Sequence, residues 1–535
     1  MPTIVALGTL LSVLLGVLFL RRTPRKSSLD KVPGPAAESF LTGHLLKLFD
    51  PSGPFHKNLV NAYGQVVKIQ GLLGADQLYI TDPRAISYIL ANDNGIFESP
   101  RQTVSLGNVL FGPGLGGVSG PQHKKQRKVL NPVFAPGHIK QITPTLFQVG
   151  RELQDLLSAR VKSDGTELDV LRWCTRASIE CLGRGILGYS FGDLDGQNQY
   201  ADASNTLIPN VGKLRVFVPL LPLLRKLCPA SLQRPVISAL AAFWPNLKAL
   251  KHDIDVLSDT ALRIYNDACG ASQDHLTGDD KNILTMLIEA NSTVTAKEHL
   301  TRDEILGIIS IIMFAGSDTT SNTLVRILEI LARNPDVQAR LKNELLSAFA
   351  GANDIEHGTL VQLPYLDAVV KETLRLHPPL VMMDRHTNED AALPLLDPVT
   401  GTDQREISSI PVPRGTIVWM AIAMNNANEK VWGSDAKEFK PERWLSDLPP
   451  KLADAKMPGV LSPLMTFLGG PRACIGYRFP ILEIKVLLAS LLQCFEFRPS
   501  AAHTVHWRLA HIQAPYTENR PDAPSMPLCV LEERL

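Results

Sequence analysis

Phe467-Leu-Gly-Gly-Pro-Arg-Ala-Cys-Ile-Gly476 is a glycine- and proline-rich loop that opens an apolar segment, Ile481 to Leu492, with the character of a buried helix. The chain has seven cysteines, Cys174, Cys181, Cys228, Cys269, Cys474, Cys494 and Cys529, scattered and without a C-x-x-C pair. That usage fits reduced thiols in a cytosolic setting rather than a disulfide framework or a zinc site. A solitary cysteine is ordinarily a small buried hydrophobe, and six of the seven are read that way. Cys474 differs because it stands just ahead of a helix N-terminus, where backbone N–H groups and the helix dipole favour the thiolate, the form that ligates metal. The flanking glycines let the backbone approach a flat macrocycle closely. Arg472 adds a fork of donors suited to a carboxylate.

This loop resembles, at every fixed position, the heme-binding signature F-x-x-G-x-R-x-C-x-G of the cytochrome P450 superfamily. The resemblance implies that Cys474 is the axial thiolate of heme b (iron protoporphyrin IX), with Phe467, Arg472 and Gly476 in the cofactor site. Three further motifs stand upstream in the family's order. Glu372 and Arg375 in Lys371-Glu-Thr-Leu-Arg375 match its E-x-x-R pair, and Pro441-Glu-Arg443-Trp resembles its second arginine element. Alone, Glu and Arg at i,i+3 are a common exposed helix pair worth a few tenths of a kcal/mol. Beside the cysteine loop they imply a structural cluster of Glu372, Arg375 and Arg443 under the heme.

A long helix is expected from about Arg302 to Ala332, its first half apolar on every face and therefore internal. Its apolar run is too short for a membrane span. In its middle lie Ala315-Gly316-Ser317-Asp318-Thr319-Thr320, where a helical glycine costs about 1 kcal/mol relative to alanine and asks for a reason such as close approach of a ligand. The hexamer is similar to the family's oxygen-activation motif. That likeness places Ala315 and Gly316 against the cofactor and gives Asp318 and Thr319 the catalytic task of guiding protons to the dioxygen being activated. Further upstream, His123 and Arg127 share a helix face in Gly120-Pro-Gln-His-Lys-Lys-Gln-Arg-Lys128. The family implies propionate contacts for Arg127 and for Arg385, ten residues beyond Arg375. It commonly has tryptophan where this chain has His123, which could still donate an N–H. Lys124, Lys125 and Lys128 form a basic patch suited to an acidic redox partner.

From Ile4 to Leu20 the chain is uncharged and apolar, with Arg21, Arg22, Arg25 and Lys26 directly after it. A cleaved signal would carry its charge first. Residues 1–20 are therefore expected to be a single-pass transmembrane anchor, with everything after Arg21 on the cytoplasmic side. Residues 21–35 read as a basic, proline-rich connector containing Val32-Pro33-Gly34-Pro35, and 36–535 as one catalytic domain. The connector and Pro471 resemble fungal microsomal members, which implies the endoplasmic reticulum membrane and the lipid bilayer as a partner. The formal charge of +1 gives no field for nucleic acid.

The expected fold is mostly α with small β-sheets, the cytochrome P450 fold. Early strands are expected at Val66–Gln70 and Gln77–Ile80 and late ones at Ile417–Ala421, Phe495–Arg498 and Leu528–Leu531, with a polar surface loop from Gly270 to Lys297. The resemblance implies a distal pocket lined by Val109, Leu110, Phe111 and Leu115, by Val216 to Leu224 and by Leu380 to Met383, apolar positions that fit a hydrophobic small molecule, terpenoid-like or another secondary metabolite. The proline-broken Val216–Leu224 run also suits a membrane surface. With no flavin or nicotinamide domain, electrons would come from NADPH through an NADPH-cytochrome P450 reductase. Three rivals are weighed. Gly112-Pro-Gly-Leu-Gly-Gly117 satisfies G-x-G-x-x-G, but a basic stretch follows it and no acidic residue appears before Glu152, so a dehydrogenase lacks its context. A heme-thiolate isomerase or dehydratase, or a non-catalytic heme-binding membrane protein, would leave Asp318 and Thr319 without a purpose.

Overall fold

The computed structural model describes residues 27–50, 54–273, 284, 288, 291, 299–461, 463–509 and 512–533. The apolar segment expected to be an anchor lies outside the described residues. The chain forms two compact units, Met1–Pro100 with Met382–Asn425 and Arg101–Val381 with Asn426–Leu535.

The smaller unit is built on a five-stranded sheet in the order Val66–Gln70, Asp76–Ile80, Ile417–Met420, Met383–Thr387, Phe97–Glu98. Asp76–Ile80 and Ile417–Met420 run parallel, and the other neighbours are antiparallel. Helices α1 (Phe55–Tyr63) and α2 (Pro83–Ala91) belong to it; α2 starts on an Asp82 cap that accepts from the Ala85 N–H, with proline at the first helical position. The connector is folded into this unit rather than standing apart from it. Leu29 and Val32 are buried, Pro33 accepts from the Lys68 N–H at 2.8 Å, and a Cβ on Gly34 would lie 1.9 Å from the Lys68 carbonyl oxygen, so only glycine fits. A hairpin, Ala391–Thr400 with Glu406–Val412, was not expected from the sequence.

The larger unit is helical. In chain order it contains α3 (Arg101–Phe111), α4 (Gly120–Leu130), α5 (Thr143–Ser158), α6 (Val170–Leu182), α7 (Gln199–Lys213), α8 (Leu221–Leu227), α9 (Ala230–Phe243), α10 (Pro245–Gln273), α11 (Arg302–Arg333), α12 (Pro335–Phe349), α13 (Pro364–Leu376) and α14 (Arg478–Cys494). The strands Thr166–Asp169, Pro527–Glu532 and Phe495–Pro499 form a small antiparallel sheet, and Val505–Leu509 pairs with Gln513–Thr517. The expected loop from Gly270 to Lys297 is partly helical: α10 continues to Gln273, and Leu284, Ile288 and Asn291 are helical, with Leu284 and Asn291 buried.

Helix α11 is the axis of this unit, and it begins on a capping box in which Thr301 accepts from the Glu304 N–H while Glu304 accepts from the Thr301 N–H. Its burial follows from the apolar first half and from close backbone packing at Gly307. A Cβ there would meet the Gly114 nitrogen at 2.4 Å, and one on Gly114 would meet the Gly307 carbonyl oxygen at 2.2 Å. The glycines of 112–117 therefore serve a tight loop between α3 and α4 that abuts α11; a helix, α3, and not a strand leads directly into them, which removes the dinucleotide-binding context.

Candidate heme-thiolate site

The approach to Cys474 is a folded-back loop. Leu468 and Gly470 have positive φ, 55° and 73°, and the Cys474 N–H donates to the Phe467 carbonyl at 2.9 Å, closing the turn. A Cβ on Gly469 would lie 1.8 Å from the Pro458 oxygen, so the loop needs glycine there for packing. Arg127 of α4 reaches across to donate to the Ala473 carbonyl at 2.5 Å, and Arg472 donates to the Val118 carbonyl at 3.1 Å. Those two bonds tie the loop to the segment around α4. His123 is buried on the same helix.

Burial pushes the Cys474 thiol up, opposed by the Gly476 N–H on the sulfur and by the Arg127 guanidinium. Cys474 itself is exposed. Gly476 has a second duty: a Cβ would press on the Phe134 ring at 3.3 Å. Among the described residues no cluster of three or more His, Cys, Asp or Glu side chains gathers to hold an ion, so Cys474 offers one thiolate and leaves the remaining positions to a ligand that brings its own.

Helix α11 supplies a second wall. Between Gly307 and Val325 every residue is buried except Ile311, Ile312, Ala315, Gly316 and Thr319, whose spacing of i, i+1, i+4, i+5 and i+8 is one helix face. An accessible stripe on an otherwise buried helix is a cradle for a flat ligand. A Cβ on Gly316 would sit 3.0 Å from the Leu182 side chain of α6, so the missing side chain also eases that packing. Thr319 lies on the accessible face and donates to the Ala315 carbonyl at 2.7 Å. Asp318, beside it at the edge of that face, is buried. Burial pushes its carboxyl up to about 7, against one lowering contact from Asn322, whose Nδ2 donates to Oδ1 at 3.3 Å. A carboxyl poised there can both hold and release a proton.

Beneath the loop, Glu372, Arg375 and Arg443 come together in one buried cluster. Arg375 grips Glu372 bidentately, both bonds 2.8 Å, and its remaining nitrogen donates to the carbonyls of Asn426 and Ala436. Glu372 also accepts from Arg443 Nε at 3.4 Å, the Lys440 N–H at 3.0 Å and Trp444 Nε1 at 2.9 Å. Trp444 closes the Pro441-Glu-Arg443-Trp motif, whereas Asn426 carried no signal in the sequence. Asn426 links the cluster to the loop: its side chain accepts from the Met465 N–H and donates to Thr466, which donates in turn to the Leu374 carbonyl at the end of α13.

Arg385 belongs to the smaller unit, where Nε and Nη2 hold Asp93 at 3.0 and 2.8 Å and Nη1 donates to the Asp384 carbonyl. Lys125 is withdrawn from the basic patch, bonded at 3.0 Å to Glu304, which this contact, the Thr301 N–H and the Gln122 and Gln126 amides hold at about 2 despite burial. Lys124 and Lys128 stay exposed.

A helical unit whose one fully exposed cysteine among the described residues sits in a folded-back glycine loop beside basic donors fits the heme-thiolate class. The cytochrome P450 family model matches residues 33–509. Cytochrome P450 monooxygenase 91 of Postia placenta is 41% identical over 94% of each chain, and the ganoderic acid synthetase CYP5150L8 of Ganoderma lucidum is 35% identical over 94% of each. The cytochrome P450 monooxygenase eriI of Hericium erinaceus is 31% identical over 97% of this chain and 96% of its own. The chain belongs to the cytochrome P450 family and is a P450 monooxygenase. Membership implies heme iron, and the residues present fit it: Cys474 as ligand, Arg127 and Arg472 as cationic partners, and the accessible α11 face as a wall.

Proposed function

We propose that this monooxygenase is a membrane-bound enzyme that inserts one oxygen atom into a lipophilic small molecule, terpenoid-like or another secondary metabolite, with electrons from NADPH-cytochrome P450 reductase. The bound heme supplies the dioxygen chemistry, and the sulfur ligand donates the electron density that favours O–O cleavage. The chain does the rest. Gly476 and Arg127 stabilise negative charge on the Cys474 sulfur, Phe111 stacks on Phe314 at 5.1 Å to firm the apolar wall before Ala315, and Asp318 with Thr319 moves protons from the interior to the accessible face of α11. A relative named for ganoderic acid synthesis supports a secondary-metabolite substrate.

The observation that carries the membrane and substrate readings is an exposed apolar surface. Val216, Phe217, Leu220, Leu223, Leu224 and Leu227 in the segment Arg215–Leu227, followed on α9 by Leu232, Val236, Leu240 and Phe243, are all solvent-facing, Phe243 at 90%. Within the Val216–Leu224 run, Val218, Pro219, Leu221 and Pro222 are half-buried and the other five residues face outward. On α9 the spacing is one face, with Lys226 exposed nearby, the pattern of a helix lying at a lipid interface. Among the described residues no single helix is long and apolar enough to cross a membrane; Gln199–Lys213 and Arg215–Leu227, bent by 73°, pass only as a pair. The endoplasmic reticulum with a cytoplasmic catalytic domain is the matching location.

Two experiments test this. With purified reductase, NADPH and isotopically labelled dioxygen, a panel of hydrophobic terpenoids is expected to give a product carrying one labelled oxygen atom; turnover that persists without reductase or dioxygen sinks the reading. In membranes, trypsin cleavage of the full chain after Lys226 is expected to be suppressed about tenfold relative to detergent, and Leu232→Glu with Leu240→Glu and Phe243→Glu to restore it. Equal cleavage of wild type in both media would refute the membrane contact.

A further inference from the structure

Asp318 is buried at the edge of the accessible face of α11, so the protons it relays come to it through the protein that covers it. The elements behind it are α6 and α7. Ser178 of α6 donates to the Ser317 carbonyl at 3.4 Å, fixing α6 against α11 beside Asp318, and the Asp318 charge acts on the Tyr200 phenol of α7 and on Tyr516 in the strand Gln513–Thr517.

Here the larger unit holds a concentration of buried oxygens with no hydrogen-bond partner among the described residues: Tyr200 Oη and Ser204 Oγ, one turn apart on α7, Thr175 Oγ1 on α6, and Asn322 Oδ1 on α11. Their side chains are 1–4% exposed. A buried hydroxyl without a partner is costly, and native proteins satisfy such groups with ordered water. The outer sides of the same two helices line a polar cleft of about 460 Å³, with Arg172 and Arg176 from α6 and Gln199, Asp202 and Asn205 from α7. Consecutive positions on α7, Gln199 and Tyr200, then Ser204 and Asn205, therefore face the cleft and the interior in turn.

We propose that this cleft is the proton inlet of the enzyme: its water is continuous with the Asp318 carboxyl by way of the Thr175, Ser204 and Tyr200 hydroxyls and Asn322 Oδ1. A hydroxyl accepts one hydrogen bond while donating another, so it passes a proton without holding charge. When Asp318 gives its proton toward the accessible face, the carboxylate takes one from the neighbouring hydroxyl or water. That group is refilled from the cleft, one proton entering for each delivered, with no change in electron count. The inference rests on the reading of Asp318 as relay acid. Tyr200 and Ser204 are positioning residues.

The full-length enzyme with its reductase tests it through Tyr200→Phe, Ser204→Ala and Asp318→Asn, each checked for an unchanged carbon monoxide difference spectrum. Tyr200→Phe is expected to lower kcat about tenfold with KM unchanged, to divert NADPH electrons to hydrogen peroxide, and to raise the solvent deuterium isotope effect on kcat. Ser204→Ala, which removes one oxygen and cannot disturb packing much, moves the same readouts in the same direction. In infrared difference spectra the protonated Asp318 carboxyl band, identified by its loss in Asp318→Asn, shifts in Tyr200→Phe. If Asp318→Asn is uncoupled while Tyr200→Phe and Ser204→Ala keep wild-type coupling, isotope effect and band position, the inlet is overturned and the relay acid stands. Wild-type coupling in Asp318→Asn would overturn both.

Discussion

Replacing Cys474 by serine is expected to abolish the thiolate-type Soret shift of the reduced carbon monoxide complex and to lower turnover below about a hundredth of wild type, a loss of at least about 2.7 kcal/mol in barrier terms. The two side chains differ by one atom, so the fold survives: the Cys474 N–H still closes the loop on the Phe467 carbonyl, and Arg127 still holds the Ala473 carbonyl, neither of which uses the sulfur. What changes is the ligand. Gly476 and Arg127 already work against the burial that pushes the thiol up, and metal binding completes its deprotonation. A serine hydroxyl starts several units higher in the same buried setting, beyond what one N–H and one guanidinium can offset. Thermal stability of the variant within about 1 kcal/mol of wild type separates ligand loss from unfolding. A variant that keeps the shift, or a wild-type protein that never shows it, removes Cys474 from the iron.

The cysteine loop, the Glu372–Arg375 pair and the hexamer from Ala315 to Thr320 were legible because each needs particular atoms at a fixed local spacing. The long helix was legible to within a residue at its end, Ala332 against Arg333, since an apolar run on every face admits few other fates. Where chemistry depends on long-range contact the sequence is silent. Arg385 finds Asp93 across 292 residues, and Asn426 reaches Thr466 across 40; neither partner is marked by local pattern. The hairpin from Ala391 to Val412 was missed because Pro394, Pro398 and Pro411 interrupt it, and proline within a run argues against a strand unless the strand lies at an edge, which a two-stranded sheet always provides. Tyr200 and Ser204 read as an ordinary polar turn on an amphipathic helix, and only burial shows that their oxygens lack partners. Gly316 stands out as a helical glycine needing a reason, and one contributor, the Leu182 side chain, has no local mark in the sequence.

Glu372→Ala is expected to destabilise the larger unit by about 3–5 kcal/mol, the penalty for leaving a buried cation without its anion. The side chains of Glu372 and Arg375 are 0% exposed and that of Arg443 is 6% exposed. Removing the carboxylate strands the Arg375 fork, the Trp444 indole N–H and the Lys440 backbone N–H at once, since all of them donate to it. Glu372→Gln fares little better, because the amide nitrogen must point a donor at donors. Arg340 and Glu442 provide the internal contrast: the same residue types bonded at 2.7 Å, but with side chains 52% and 47% exposed, so Arg340→Ala is expected to cost no more than about 1 kcal/mol. The difference between the two variants isolates burial from pairing. It should also appear as heme loss in Glu372→Ala alone, since Asn426, whose carbonyl Arg375 holds, positions Met465 and Thr466 immediately before Phe467. Urea denaturation followed through the far-ultraviolet signal measures the stability, and the ratio of heme absorbance to protein measures retention. Equal midpoints for Glu372→Ala and Arg340→Ala would show that the cluster contributes no more than a surface pair, and that the loop holding Cys474 does not depend on it.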